Sequence, residues 1–461
     1  MNTQNLNEEL ILASDNGDLN ATERLLNKGA DVHYQDAGGR TALMAAVQKN
    51  DVALAAKLIE AGSDVNARDI TMLTPYLCAG ANGFHEILSL TIAAGADIGS
   101  VNRFGGTALL PSSEKGYLRT VQVCLEAGVA VNHVNNLGWS ALLEAVILGN
   151  GGRLYSDIIE LLVNAGADIH LPDHDGKSSL QHAEERGQTK VVQILKQENP
   201  LEHPAIRSAK AAARTGAVEQ ALYAMEQALQ EHGSPMEEFL YYKGYFLGEL
   251  GRYDEALTAY RDALKLKPDD LDFYFYTANA LRMMKRPEEA LAEYDKAIEL
   301  APGESFHLYH KSNYLRELGR HEEAVAAMDR LLALHPGRYD YSFHKANSLR
   351  SLGKHREAAE AIENAIIHDP SNPLYHYHKG QSLNLLGDHE GAVRAIDRAI
   401  GLNPSNADFY CEKASSLLAR HQTEEARALV EQALSINPSN GKACRMGQEL
   451  GIFSTGSGGP R

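Results

Sequence analysis

Four cysteines and a single tryptophan stand in a chain of 461 residues. The cysteines are Cys78, Cys124, Cys411 and Cys444; the closest two are 33 residues apart, and no C-x-x-C occurs. That usage argues against a disulfide scaffold or zinc framework and predicts a reducing, cytoplasmic setting. Apolar runs are short. None approaches the roughly 18–20 residues that a membrane span needs. Positive charge is in deficit: 44 Lys and Arg stand against 61 Asp and Glu, a formal net charge of −17. The acidic balance disfavours nonspecific binding to nucleic acid or anionic lipid. The opening residues, Met1 to Glu9, are polar and acidic, unlike a secretory signal. Catalytic motifs are also missing. There is no P-loop and no G-x-S-x-G, and His321-Glu322 and His389-Glu390 lack the second His of H-E-x-x-H. The expectation is a protein that is not an enzyme and needs no cofactor.

What the chain has in abundance is repetition. Thr41-Ala42-Leu43 recurs as Thr74-Pro75-Tyr76, Thr107-Ala108-Leu109, Ser140-Ala141-Leu142 and Ser178-Ser179-Leu180, at three intervals of 33 residues and one of 38. Gly29, Gly62, Gly95, Gly128 and Gly166 keep the same beat. Each Thr or Ser is an N-cap candidate for a short helix. Each Gly can close a second helix in the left-handed conformation. This pattern resembles the ankyrin repeat, with about six units over residues 6–198. It departs from the family at the first-helix His, replaced by Met44, Leu77, Leu110, Leu143 and Gln181, and at Pro111 in a first helical turn. The fifth repeat is longer by five residues at Gly149–Tyr155, between its two helices. The stretch Asn132–Ala145 resembles bacterial stand-alone ankyrin proteins, which implies a bacterial origin. Trp139 sits in a variable slot before Ser140, near the turn fingertips that in ankyrin-like folds contact partners. It is a candidate protein-binding residue.

Two prolines, Pro200 and Pro204, break that rhythm, and residues 199–204 are read as a linker between a domain over 1–198 and one over 205–453. Beyond the linker the beat is 34. Prolines fall at 268, 302, 336, 370, 404 and 438, and alanines at 256, 290, 324, 358, 392 and 426. Small residues at Gly244, Ala278, Ser312, Ala346, Gly380 and Ala414 let paired helices approach closely. This resembles the tetratricopeptide repeat: one degenerate unit, six full units over 237–440, and a capping helix over 442–452. The Gly/Ser-rich residues 454–461 read as a flexible tail. The fold class expected is all-α, two helical-repeat solenoids in tandem, with no segment left for a separate catalytic domain.

Three tetratricopeptide units carry a polar ladder. Phe275, Asn279 and Arg282 recur as Tyr309, Asn313, Arg316 and as Phe343, Asn347, Arg350. Positions i, i+4 and i+7 share a helix face. The stripe lies about 100° round from the small-residue stripe that belongs to the core. The resemblance implies that these slots line a concave groove. Asn can bond both backbone C=O and N–H, and Arg forks match carboxylates. The nine residues are therefore the candidate peptide-binding site for an extended, acidic segment or C-terminus. Metal binding is not expected. His310, His344 and His378 share a slot, but helices about 8–10 Å apart cannot bring equivalent nitrogens to one ion.

The function expected is a protein–protein interaction scaffold or adaptor, binding one partner in the tetratricopeptide groove and another at the ankyrin fingertips. The alternatives are a self-associating assembly protein, a nucleic-acid binder that the charge opposes, and an effector delivered to a host.

Overall fold

A computed structural model describes residues 3–102, 104–136, 138–197, 202–231, 237–438 and 440–452. The expected tail and residues 199–201 of the expected linker lie outside them. Regular secondary structure among the described residues is helical throughout, with one isolated bridge between Val134 and Ser140. Six short helix pairs run from Thr3–Asp15 with Leu19–Asn27 to Ser179–Glu185 with Thr189–Leu195. Seven pairs, most of them longer, follow, from Pro204–Arg214 with Val218–Glu231 to Ala407–Ala419 with Thr423–Ile436, and Gly441–Glu449 closes the series.

The caps explain where the short helices begin. Thr41 and Thr74 accept from the N–H groups of Met44 and Leu77, and Ser140 accepts from Leu143. Thr107 departs from the expectation: its hydroxyl is buried without a partner, and the helix begins at Leu109. The cause is Pro111. The backbone N–H groups of Ala45 and Cys78 bond the carbonyls of Thr41 and Thr74, but the corresponding donor after Thr107 is a proline nitrogen with no hydrogen. Left-handed backbone ends the helices. Gly319 and Gly353 turn the tetratricopeptide pairs at φ 73° and 71°, and Lys285 and His421 adopt φ 57° and 61° in the same slot. The small-residue slots do bring helices close: a Cβ on Gly244 would lie 2.5 Å from the Tyr260 ring.

Compactness divides the chain differently from the repeat pattern. The first unit comprises Met1–Ile147, Ile158–Gln181 and Ser342–Arg461; the second comprises Leu148–Asp157 and His182–Tyr341. Both kinds of repeat contribute to each.

In the first unit, successive ankyrin turns are tied by backbone and amide bonds. Ile70 N–H donates to Gly38 O at 3.0 Å, and Asn136 N–H to Phe104 O at 2.9 Å. Asn66 receives the Asp97 N–H at 2.8 Å and donates to Gly95 O. Among the described residues, the tetratricopeptide part of this unit packs apolar clusters around Leu374, Tyr377, Ile396 and Phe409 and around Cys411, Val430 and Met446. In the second unit the core is aromatic. Tyr276 stacks at a tilt on Tyr241 (4.8 Å) and Tyr260 (5.4 Å), and Phe275 meets Phe306 edge-on at 4.9 Å. Edge-on and offset contacts suit the ring quadrupole, so the rings add specificity to their burial.

Candidate functional site

The ladder divides between the two units. In the second unit, Phe275 and Tyr309 are buried and pack on rings, Phe275 on Phe306 and His310, Tyr309 on Tyr341 and His310. Asn279, Arg282, Asn313 and Arg316 are half-buried. Arg282 bonds Glu317 through Nε at 3.1 Å and Nη2 at 3.2 Å, and lies 5.7 Å from the Tyr314 ring. Asn279 accepts from the Tyr294 hydroxyl, and Asn313 from Arg316. Burial lowers the Arg316 pKa. In the first unit, Phe343 is fully buried between Phe104, Tyr375 and His378. Arg350 contacts His378 Nδ1 at 2.7 Å and donates to Gln381 at 2.6 Å, while Asn347 is half-buried and its carbonyl accepts from Ser351. Burial also lowers the Arg350 pKa. Trp139 is half-buried. Its backbone N–H donates to Asn135 Oδ1, inside a turn closed by the Val134–Ser140 bridge.

Sequence reasoning missed a second set of contacts. In the second unit, the enlarged segment of the fifth ankyrin repeat lies against the first helices of three successive tetratricopeptide pairs. Arg153 Nη1 bonds Asp270 at 2.9 Å and lies 3.6 Å from Asp272. Its guanidinium carbon is 4.8 Å from the Phe273 ring centre. Backbone groups are also held: Arg153 N–H donates to Asp272 at 3.0 Å and Leu154 N–H to the Tyr276 hydroxyl at 3.2 Å. Asn150 adds an amide bond to Asp272. Gly152 is required here, because a Cβ would fall 2.1 Å from the Asp272 carboxylate. Tyr155 continues the contact with its ring 5.6 Å from Phe306, and Asp157 accepts from Tyr242 and pairs with Lys210 at 2.8 Å.

The electrostatics follow from burial. Loss of solvent raises the Asp272 pKa, helped by Asp270, while Arg153 and Asn150 oppose the rise. Burial works against the Arg153 charge, but Asp270 and Asp272 outweigh it and raise its pKa. The sequence signals were the 38-residue interval and two aspartates at the start of one helix. Neither says that the two meet.

In the first unit, ankyrin turns meet the last tetratricopeptide turns. Asn437 donates to Gln35 Oε1 at 2.5 Å, and the backbone at Gly441 runs so close that a Cβ would sit 2.1 Å from Gln35 O. Met72, at a left-handed φ of 66°, packs on the Leu374–Phe409 cluster. Asn403 and Asn406 point amides at its sulfur. Phe104 meets Phe343 edge-on at 6.2 Å.

Among the described residues, no group of three His, Cys, Asp or Glu could hold a metal, and no helix is long and apolar enough to cross a membrane. The four cysteines are free. Burial pushes Cys78, Cys124 and Cys411 up to about 12, which keeps them as unreactive thiols.

Helix pairs stacked at fixed sequence intervals, each turned by a left-handed residue, define a helical-repeat interaction protein. The chain is an ankyrin-repeat protein that continues into tetratricopeptide repeats. The family described as ankyrin repeats (3 copies) matches residues 2–69 and 76–173, and the tetratricopeptide repeat matches 243–305, 309–349, 343–407 and 407–440. Among curated proteins it is 42% identical over 52 residues to the ankyrin repeat protein YahD of Escherichia coli (strain K12), which covers 11% of this chain. The chain spans about a quarter (26%) of that relative's length. Among solved structures it is similar to an ankyrin repeat domain from Acinetobacter baumannii AYE, at 48% identity and TM-score 0.40 over 41% of this chain and 96% of the other. It is also similar to the ankyrin repeat protein EF0377, at 37% identity and TM-score 0.40 over 41% of this chain and 97% of the other. Both kinds of repeat are protein–protein interaction modules.

Proposed function

We propose that the protein is a non-catalytic, cytoplasmic scaffold or adaptor, and that Asn279, Arg282, Asn313 and Arg316 hold an extended acidic segment of a partner. The observation that carries this reading is the split within the ladder of the second unit. Its aromatic members are consumed by packing, while its amides and guanidiniums stay at a half-buried surface on successive first helices. The Arg282–Glu317 pair does not oppose it. Glu317 is 45% exposed, and such pairs contribute about 0–1 kcal/mol, so a partner carboxylate can replace Glu317 at low cost. A further support is the neighbouring segment Asn150–Leu154, where a turn enters helix Arg153–Asn164. There the start of one of these helices already receives backbone N–H groups and a charged side chain from a chain segment. Asn347 and Arg350 form the corresponding contact in the first unit, and Trp139 serves a second partner through the ankyrin turns.

The test is capture on a peptide array by the full chain and by a variant with Arg282, Arg316 and Arg350 all changed to Ala. The variant should lose acidic peptides, and capture by the wild type should weaken as salt rises. Equal capture by the two proteins would remove the ladder from the binding site.

A further inference from the structure

A cleft of about 720 Å³ opens within the first unit where ankyrin turns meet the last tetratricopeptide turns. Asp64, Arg68 and Asp69 line one side; Asn406, Asp408 and Asn440 line the other. The volume is in the range of small-molecule and side-chain pockets, but the wall is polar where such pockets are mostly apolar. Its ligand must therefore be recognised by charge and hydrogen bonds.

Asp408 defines that chemistry. It is only 7% exposed, yet only one of its carboxylate oxygens is used: Oδ1 accepts from Asn440 Nδ2 at 3.1 Å. Oδ2 has no hydrogen-bond donor among the described residues. Of the nearby basic side chains, Arg68 donates to Val101 O and Lys442 pairs with Glu412. A buried carboxylate with an unused oxygen beside an open cleft is costly unless a donor enters.

The chain itself shows which donor suits this position. Asp408 and Asp272 stand four 34-residue repeats apart, in the same slot of their helices. Both follow an N-cap that accepts the aspartate's own N–H, Asn406 for Asp408 and Asp270 for Asp272. In the second unit, Asp272 faces the guanidinium of Arg153 and takes an amide from Asn150. Asp408 has the amide, from Asn440, and among the described residues no cation bonded to it. We propose that this cleft binds a guanidinium group, with Asp408 as the charged partner and Asn406, Asn440 and Asp69 around it. The planar fork of donors matches a carboxylate. None of the ladder residues takes part, so the site stands or falls apart from the proposed peptide contact.

The group can come from a free amine or from an arginine side chain of a protein. Calorimetric titration of the full chain with agmatine and with a short blocked arginine peptide separates these sources. The matching citrulline peptide, isosteric and neutral, is the control. Saturable binding of an arginine probe is expected, with citrulline and the D408N variant each weaker by about tenfold or more. A tighter peptide identifies a protein side chain as the occupant, and tighter agmatine a free amine. Asn keeps the shape and the Asn440 bond, and circular dichroism of D408N verifies its fold. The assignment is overturned if neither arginine probe binds, if citrulline binds equally, or if folded D408N binds as the wild type does.

Discussion

Arg153 Nη1 lies 2.9 Å from Asp270 Oδ2, and the two side chains are only 13% and 19% exposed. An enlarged ankyrin turn thereby becomes part of a tetratricopeptide core within the second unit. Removing one member of a buried pair leaves the other charge uncompensated, at about 3–5 kcal/mol. R153A should fall at or below the low end, about 2–3 kcal/mol, because Asp272 keeps its bonds to Asn150 and to the residue 153 backbone N–H. Repeat arrays need not unfold as one body. Hydrogen exchange is therefore the decisive readout, with faster exchange expected in helices Glu237–Glu249 and Leu271–Met283. Unchanged protection there would show that the pair adds nothing to the unit.

Asp408 gives a pH dependence of definite sign. Burial, reinforced by Asp69 and Glu412 and opposed by Asn440 and Lys442, pushes its pKa from 3.8 up to about 6. Between those values the unfolded carboxyl is ionised while the folded one keeps its proton. The folded state then binds the extra proton, so this group's contribution to stability falls as pH rises through about 4 to 6. The loss amounts to roughly 2–3 kcal/mol. D408N carries no proton to lose. Chemical denaturation should find it more stable than the wild type at neutral pH, with the two converging near pH 4. Parallel pH profiles of the two proteins would contradict the assignment.

The repeat register was legible because it rests on local chemistry. Thr41 and Thr74 cap helices whatever lies around them, and Gly319 and Lys285 share a left-handed turn because the interval demands one. Thr107 shows how narrowly such reasoning can fail: Pro111 has no N–H for the Thr107 carbonyl, and the Leu110 N–H that would meet the capping hydroxyl bonds that carbonyl instead. The ladder was legible as a periodicity but not as an exposure. Whether Phe275 or Phe343 faces solvent depends on Phe306 and Phe104, which come from other repeats. The contacts of Arg153 with Asp270 and of Gln35 with Asn437 join residues more than 100 positions apart. No period links them, so only the tertiary structure brings them together.

Gly380 tests how tightly a tetratricopeptide pair is closed. A Cβ there would sit 2.5 Å from Ile396 Cγ1 and 3.3 Å from the Ala392 carbonyl. Helix propensity favours G380A by about 1 kcal/mol, while overpacking costs about 1–3 kcal/mol. The Cγ1 atom is near the root of its side chain and cannot swing aside, so the clash should prevail with a net loss of about 1 kcal/mol. Ala346 and Ile362 occupy the corresponding slots one repeat earlier, which shows that an alanine is admitted when the pair is spaced for it. The second substitution I396A removes the obstructing atom. It should turn the alanine at 380 from unfavourable to favourable, a coupling that a double-mutant cycle of denaturation measurements reads directly. If G380A alone matches the wild type, the helices Pro373–Leu385 and His389–Leu402 open without cost, and the close approach is not what selects glycine.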